Sequence, residues 1–266
     1  MKFDLINVNG LSDMESSSVA TLRLAVIMTC FNRKQHTLEC LHALATNTSL
    51  EKVQMSVVLV DDGSTDGTAD AVRAAFPWVH VVIGDSNLFW CRGMYKAFDI
   101  ALQGNYDYYL WLNDDTMLRP DALSRLLQCA ATVGQSKAAI VVGSTVDAAT
   151  GALTYGGVVR SSRFRPITFQ RAVLADVPQR CDSMTGNIVL IPAAVARTVG
   201  NLDPAFEHAM GDTDYALRAR QLGFEVWAGP GVFGTCHHNP VEGTYLDSSQ
   251  PMSFRWRQMM SRKGLP

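Results

Sequence analysis

Short apolar runs alternate with amphipathic stretches through the first half of the chain. Residues 22–28 form a strand-like run, and residues 33–46 place Leu38, Leu41, Leu44 and Ala45 at helical spacing. Residues 54–60 give a second strand, after which Thr65 is expected to cap a helix reaching Ala75. A third strand, 79–83, precedes a helix around 93–102. A fourth, 108–112, precedes a helix from Pro120 to about Thr132, with Pro120 in the first turn, where its missing N–H costs nothing. Four such units predict an α/β fold: a mostly parallel central sheet with helices on both faces.

After residue 139 the rhythm changes. Residues 139–142 read as another strand, and 144–160 as an antiparallel excursion turned by Thr150 and Gly151. Residues 161–180 carry Arg163, Arg165 and Arg171 with little periodicity, as expected of a mobile loop. Residues 186–191 return as a strand, and Pro192 opens a short helix closed by Gly200. Residues 212–222 form a clearer helix, with Gly223 as its C-terminal stop, and 224–228 a last strand. No linker interrupts the pattern. The expected organisation is a mobile leader over 1–20 and one domain over 21–266, its halves dividing near residue 135.

Composition narrows the function. A chain of 266 residues, 47% hydrophobic and 18% charged, can bury a substantial core, and a net charge of -2 argues against a nucleic-acid binder. Its 6 cysteines form no C-x-x-C pair, so neither a disulfide framework nor a cysteine zinc site is indicated, and a reducing cytoplasm fits best. Polar residues from Asp4 to Glu15 stand where a signal peptide would need an apolar core.

The chemistry gathers at two strand ends. Asn113-Asp114-Asp115 follows the run 108–112, and Asp61-Asp62-Gly63-Ser64-Thr65-Asp66 follows 57–60. Carboxylates at the C-terminal mouths of strands in an α/β pattern face the edge where ligands bind. They suggest a metal ion and a phosphorylated ligand, against the plainer reading of two solvated turns. Three apparent motifs fail. The run from Asp62 matches half of a calcium loop, but Arg73 stands where that loop needs a bidentate Glu. Gly229-x-Gly231-x-x-Gly234 has a dinucleotide-fingerprint spacing but no following βαβ unit. Cys236-His237-His238 lacks a second ligand pair for zinc.

In order along the chain, Thr29-Cys30-Phe31-Asn32-Arg33, the Asp61–Asp66 run, Asn113-Asp114-Asp115, Gly186-Asn187 and Gly211-Asp212-Thr213-Asp214-Tyr215-x-x-x-Arg218 resemble the family-2 glycosyltransferases of the GT-A fold. The likeness spans residues 22 to about 262 and is nearest to bacterial surface-polysaccharide and rhamnosyltransferase-like enzymes. It implies a divalent metal, Mn or Mg, held by Asp115, with Asp114 nearer the ribose or a metal-bound water. It implies a nucleotide pocket of Thr29, Phe31, Arg33, Asp61 and Asp62, with Arg92 and Gly93 in the donor-side loop. Asp212 takes the place of the general base of an inverting reaction. Gly186, Asn187 and Asp214 fall on the acceptor side, with Asp214 also placed to pair with Arg218. His237 and His238 stand where some relatives supply a metal-ligating histidine.

The implied donor is a UDP- or dTDP-sugar and the implied acceptor a glycan or lipid-linked hydroxyl, in a cytoplasmic protein at or near the inner membrane face. Phe89 and Tyr95 depart from the usual Gly-rich donor loop, and Gly211 stands where Glu is common. The basic, aromatic stretch 254–263 could touch a membrane surface or pack as a terminal helix. The stop at Pro266 leaves room for a longer natural protein. Two rivals remain: a non-catalytic nucleotide-binding member of the fold, and a nucleotidyltransferase that makes nucleotide sugars. The second needs a glycine-rich loop after the first strand, where this chain has Thr29-Cys30-Phe31-Asn32.

Overall fold

The computed structural model describes residues 21–47, 52–162, 164, 168–238, 241–245 and 247–262. The expected leader, Arg163 and Arg165 lie outside the described residues. In chain order the first elements are β1 (Leu22–Cys30), α1 (Lys34–Ala45), β2 (Val53–Asp61), α2 (Thr68–Ala75), β3 (Val79–Ile83), α3 (Phe89–Leu102), β4 (Tyr108–Leu112), the short β5 (Met117–Leu118) and α4 (Ala122–Val133). Then follow β6 (Ala139–Val146), β7 (Leu153–Tyr155), β8 (Gly157–Arg160), β9 (Phe169–Arg171), β10 (Gln179–Cys181), β11 (Ser183–Met184) and β12 (Ile188–Pro192). The last are α5 (Ala193–Val199), α6 (Gly211–Gln221), β13 (Glu225–Thr235) and α7 (Met252–Met259).

The large sheet runs β10-β13-β6-β12-β4-β1-β2-β3, and β11-β8-β9 make a small antiparallel sheet beside it. Strands β3, β2, β1 and β4 are mutually parallel. β12 inserts antiparallel between β4 and β6, and β13 runs parallel to β6. Both faces of the sheet are covered, which is why its strands read as unbroken apolar runs. Successive side chains of β1 point to opposite faces, so Ala25 and Ile27 join Phe98, Trp111 and Tyr215 on one side. Leu24, Val26 and Met28 join Leu41, Leu59 and Leu126 on the other.

Several local expectations are corrected. The helix after β2 starts at Thr68, not Thr65, because Asp66 accepts the Thr68 N–H at 3.0 Å while Thr65 turns toward Asn32. α3 begins four residues before Gly93, because the Asp62 carboxylate receives the Leu88 and Phe89 N–H groups at 3.0 and 3.1 Å and caps the helix from another strand. Pro120 lies ahead of α4, whose cap position is Asp121. Residues 161–180 contain β9 and β10, paired to β8 and β13, where an irregular loop was expected. The Gly229–Gly234 run is a bulged stretch of β13, where a Cβ at Gly234 would lie 2.5 Å from the Met117 carbonyl oxygen. No helix of the described residues is long and apolar enough to cross a membrane.

Topology sets the site. The parallel strands β1, β2, β4, β6 and β13 end at one edge of the sheet. Antiparallel β12 begins at that edge, so Gly186 and Asn187 arrive where β4 finishes. The Asn113 N–H donates to the Asn187 carbonyl at 3.0 Å and locks the two together.

Candidate active site

At the end of β4, Asp114 is buried and Asp115 partly so. One Arg33 nitrogen reaches both, at 3.3 Å from Asp114 Oδ1 and 2.6 Å from Asp115 Oδ2. Arg33 is the residue just ahead of α1, so helix and strand end are joined by this guanidinium. Thr37 in the next turn donates to Asp114 Oδ2 at 3.5 Å. Burial raises the Asp114 carboxyl to about 7, opposed by the Arg33 charge and reinforced by Asp115. The other oxygen of Asp115 receives the Cys236 thiol at 3.4 Å.

The β1 and β2 ends are stitched to each other. Asn32, in a left-handed conformation at φ 51°, takes the Thr65 N–H on its side chain at 2.8 Å and gives its own N–H to Ser64 at 2.8 Å. Asp66 also accepts the Lys34 N–H at 2.9 Å. Within this cradle Asp61 Oδ1 accepts the Ser64 N–H at 2.8 Å, while its Oδ2 is buried without a partner among the described residues. Asp62 caps α3 through Oδ2 and likewise keeps Oδ1 buried and unpartnered among the described residues. Two desolvated carboxylate oxygens without donors are costly, and N–H or O–H groups of a ligand would satisfy them. Thr29 is buried and donates to the Val60 carbonyl, whereas Phe31 is exposed at the rim.

Asp212 sits in the first turn of α6. Its Oδ2 accepts the Gly186 N–H at 2.9 Å and its Oδ1 the Thr213 N–H at 2.7 Å. Desolvation raises its carboxyl above the ordinary range, and these backbone donors only partly offset that. The link from Asp212 to Asn113 is Trp90, which the sequence reading passed over. Its indole N–H donates to Asn113 Oδ1 at 2.8 Å, and its ring lies so close to Gly186 that a Cβ there would meet it at 2.5 Å. The run 87–93 was visible in the sequence, but which of its side chains turned inward was not. Gly211 also has a packing reason: a Cβ there would lie 2.3 Å from Cys91 Sγ of α3.

Other expected residues are engaged elsewhere. Arg92 pairs with Glu207 at 2.9 Å and donates to the Pro204 carbonyl at 3.1 Å. Gly93 lets α3 approach β1, since a Cβ would lie 2.2 Å from Thr29 Oγ1. Asp214 pairs with Arg218 at 2.7 Å, and Arg218 also holds the Val199 and Asn201 carbonyls. His237 pairs with Asp147 at 2.8 Å, and His238 stacks on Tyr155 at 5.7 Å between ring centres. Among the described residues, no three His, Cys, Asp or Glu side chains gather closely enough to hold a metal by themselves.

Comparison with known proteins places the fold. The family model described as glycosyl transferase family 2 matches residues 25–188. No curated protein sequence matches the chain. Among solved structures, a mannosyltransferase from Pyrobaculum calidifontis in complex with GDP-Man and Mn2+ superposes with a TM-score of 0.56 at 18% identity, over 85% of this chain and 59% of its own. S. aureus TarS 1-349 gives 0.57 at 13% identity, over 81% and 60%. GalNAc-T7 with UDP, GalNAc and Mn2+ gives 0.63 at 14% identity, over 85% and 45%. These likenesses establish the GT-A fold, and the chain spans about half to three-fifths of the length of those proteins.

Proposed function

The chain belongs to glycosyl transferase family 2, and we propose that it is a metal-dependent inverting glycosyltransferase. It moves a sugar from a UDP- or dTDP-sugar to a hydroxyl of a glycan or lipid-linked acceptor in bacterial surface-polysaccharide synthesis. The observation that carries this reading is the pairing of two carboxyl sites on one sheet edge. Asp115 lies at the end of β4, and Asp212, with its raised pKa, is tied to that strand end through Gly186, Trp90 and Asn113. The reading places the nucleotide half in residues 21–135 and the acceptor half in 136–266, in a cytoplasmic protein whose cysteines are all free.

The donor set fits a hard divalent ion. Among the described residues, Asp115 offers carboxylate oxygens met by Arg33 and a thiol, and ions of this kind commonly take one or two carboxylates and complete their shell with substrate phosphates and water. When bound, the ion neutralises charge growing on the departing diphosphate. Asp115 would hold it, and Asp114 would take a ribose hydroxyl or a metal-bound water. A part for His237 requires that it release Asp147, and Arg92 reaches a phosphate only by leaving Glu207. The unpartnered oxygens of Asp61 and Asp62 suit the N–H of a base and the hydroxyls of a ribose.

In the reaction the acceptor oxygen attacks the anomeric carbon on the face opposite the diphosphate. A new carbon–oxygen bond forms as the bond to the phosphate oxygen breaks, and the nucleoside diphosphate leaves. Asp212 takes the hydroxyl proton, and its raised pKa makes it a stronger base than an ordinary exposed aspartate. The two backbone N–H groups hold the carboxylate in place without neutralising it.

The test is thermal stabilisation by UDP, dTDP, GDP and CDP, each with Mn2+, Mg2+ or EDTA. A ligand bound only to the folded state raises the melting temperature by mass action. Stabilisation by UDP or dTDP that disappears in EDTA is the expected result. Stabilisation by GDP alone would correct the donor, and metal-independent stabilisation would remove the metal from the proposal.

A further inference from the structure

We infer that Asn187 and Cys236 form a positioning relay for Asp115, an inference that rests on the metal site proposed above. Asn187 is 4% exposed and Cys236 3%, so neither side chain is a surface group that happens to point inward. The Asn187 Nδ2 lies 3.6 Å from Cys236 Sγ, and the thiol in turn lies 3.4 Å from Asp115 Oδ1. Arg33 takes Oδ2 at 2.6 Å. Each oxygen of the carboxylate therefore has a donor within reach, the thiol lying nearer Asp115 Oδ1 than the His237 carbonyl at 3.6 Å, and the rotation of the group is set from both sides.

Both members of the relay are tied by backbone hydrogen bonds at strand ends. Asn187 immediately precedes β12, and its carbonyl accepts the Asn113 N–H at 3.0 Å. Cys236 follows β13, and its N–H donates to the Val146 carbonyl of β6 at 3.0 Å. Residues beside β12, which pairs with β4, and beside β13, which lies beyond β12 and β6 in the sheet, thus converge on Asp115. Of the run Cys236-His237-His238, it is the cysteine that reaches the carboxylate, while the two imidazoles turn to Asp147 and Tyr155. Asn187, expected on the acceptor side, acts here on the metal side.

The chemistry suits a support that must not compete with a cation. A thiol is uncharged and a weak donor, so it orients an oxygen without neutralising it and yields when an ion approaches. A lysine or protonated histidine at this place would repel the ion. Partners that orient a metal's ligands commonly change its affinity by about 10–100-fold when removed.

The decisive measurement is the binding of Mn2+, followed by the electron paramagnetic resonance of the free ion, in the presence of UDP or dTDP. Cys236→Ala is expected to weaken Mn2+ binding about 10-fold, and Cys236→Ser, which keeps a donor, to recover most of the loss. Asn187→Ala should resemble Cys236→Ala, and the double variant should be no worse than either, as for groups acting in series. Nucleotide binding in EDTA should be unchanged in all of them. If Cys236→Ala lowers the melting temperature too far for titration, Cys236→Val keeps the volume without the donor, and its contrast with Cys236→Ser decides. Wild-type Mn2+ affinity in Cys236→Ala or Cys236→Val overturns the relay alone. A wild-type protein that binds no Mn2+ with either nucleotide overturns the metal site and the relay with it.

Discussion

At the end of β4, Asp114 and Asp115 share one guanidinium, whereas at the start of α6 Asp212 takes two backbone N–H groups and, among the described residues, no cation. Burial raises the carboxyl pKa of both Asp114 and Asp212, so the difference lies in what opposes it. A side-chain cation can swing away and be replaced by another cation. A backbone N–H cannot. The first arrangement suits a place where counter-ions are exchanged, and the second a fixed acceptor of protons.

The largest effect should come from removing the fixed acceptor. Asp212→Asn keeps the shape and a hydrogen-bonding oxygen but not the base, and general-base contributions run to about 10^2–10^4-fold in rate. Transfer should fall by that much while nucleotide binding stays within about 2-fold. Unchanged transfer would take the base role away from Asp212.

The exchangeable site should be visible in stability against pH. Asp114 holds its proton to about 7 when folded, against 3.8 for the ordinary group. Between those values the unfolded chain has released a proton that the folded one keeps, so folding loses stability as pH rises through that window and levels off above it. The loss is on the order of a few kcal/mol at most. In Asp114→Asn that contribution should be lost, leaving a shallower slope in denaturant midpoints measured from pH 4 to pH 8. An identical slope in both proteins would mean that Arg33 keeps the group ionised.

Two smaller changes test whether neighbours of these acids act in binding or in packing. Gly93→Ala would push a methyl against Thr29 in the β1–α3 contact, and overpacking of this kind costs about 1–3 kcal/mol. A melting temperature like that of the wild type with weakened nucleotide binding would instead give Gly93 a donor role. Asp214→Asn removes an i,i+4 pair with Arg218, for about 0.2–0.5 kcal/mol of stability. Its transfer rate should stay within about 2-fold of wild type. A large loss of rate would make Asp214 part of the acceptor site.

Legibility followed the range of the interactions. β3 and β4 were readable to the residue, and β1, β2, α5 and α6 to within a few, because each is declared by its own local run or periodicity, with Pro192 and Gly200 bounding α5 and Gly223 following α6. β9 and β10 were not, since short strands such as Phe169–Arg171 owe their form to partners distant in the chain. The helix starts missed at Thr68 and Phe89 share one cause. Both are capped by an aspartate outside the helix, in the second case one that is 26 residues away from Leu88.

The same division holds for the site. Sequence alone located the acids at the strand ends, the helix bearing Asp212, the Asp214–Arg218 pair and the α/β class, because residue type and local spacing carry that information. Only the tertiary structure decided that Trp90 joins Asn113 to Gly186, that Cys236 rather than its histidine neighbours faces Asp115, and that Arg92 turns to Glu207. These contacts join segments tens of residues apart or more, and their partners are chosen by strand order and by β12 running antiparallel between β4 and β6. No local pattern encodes that choice.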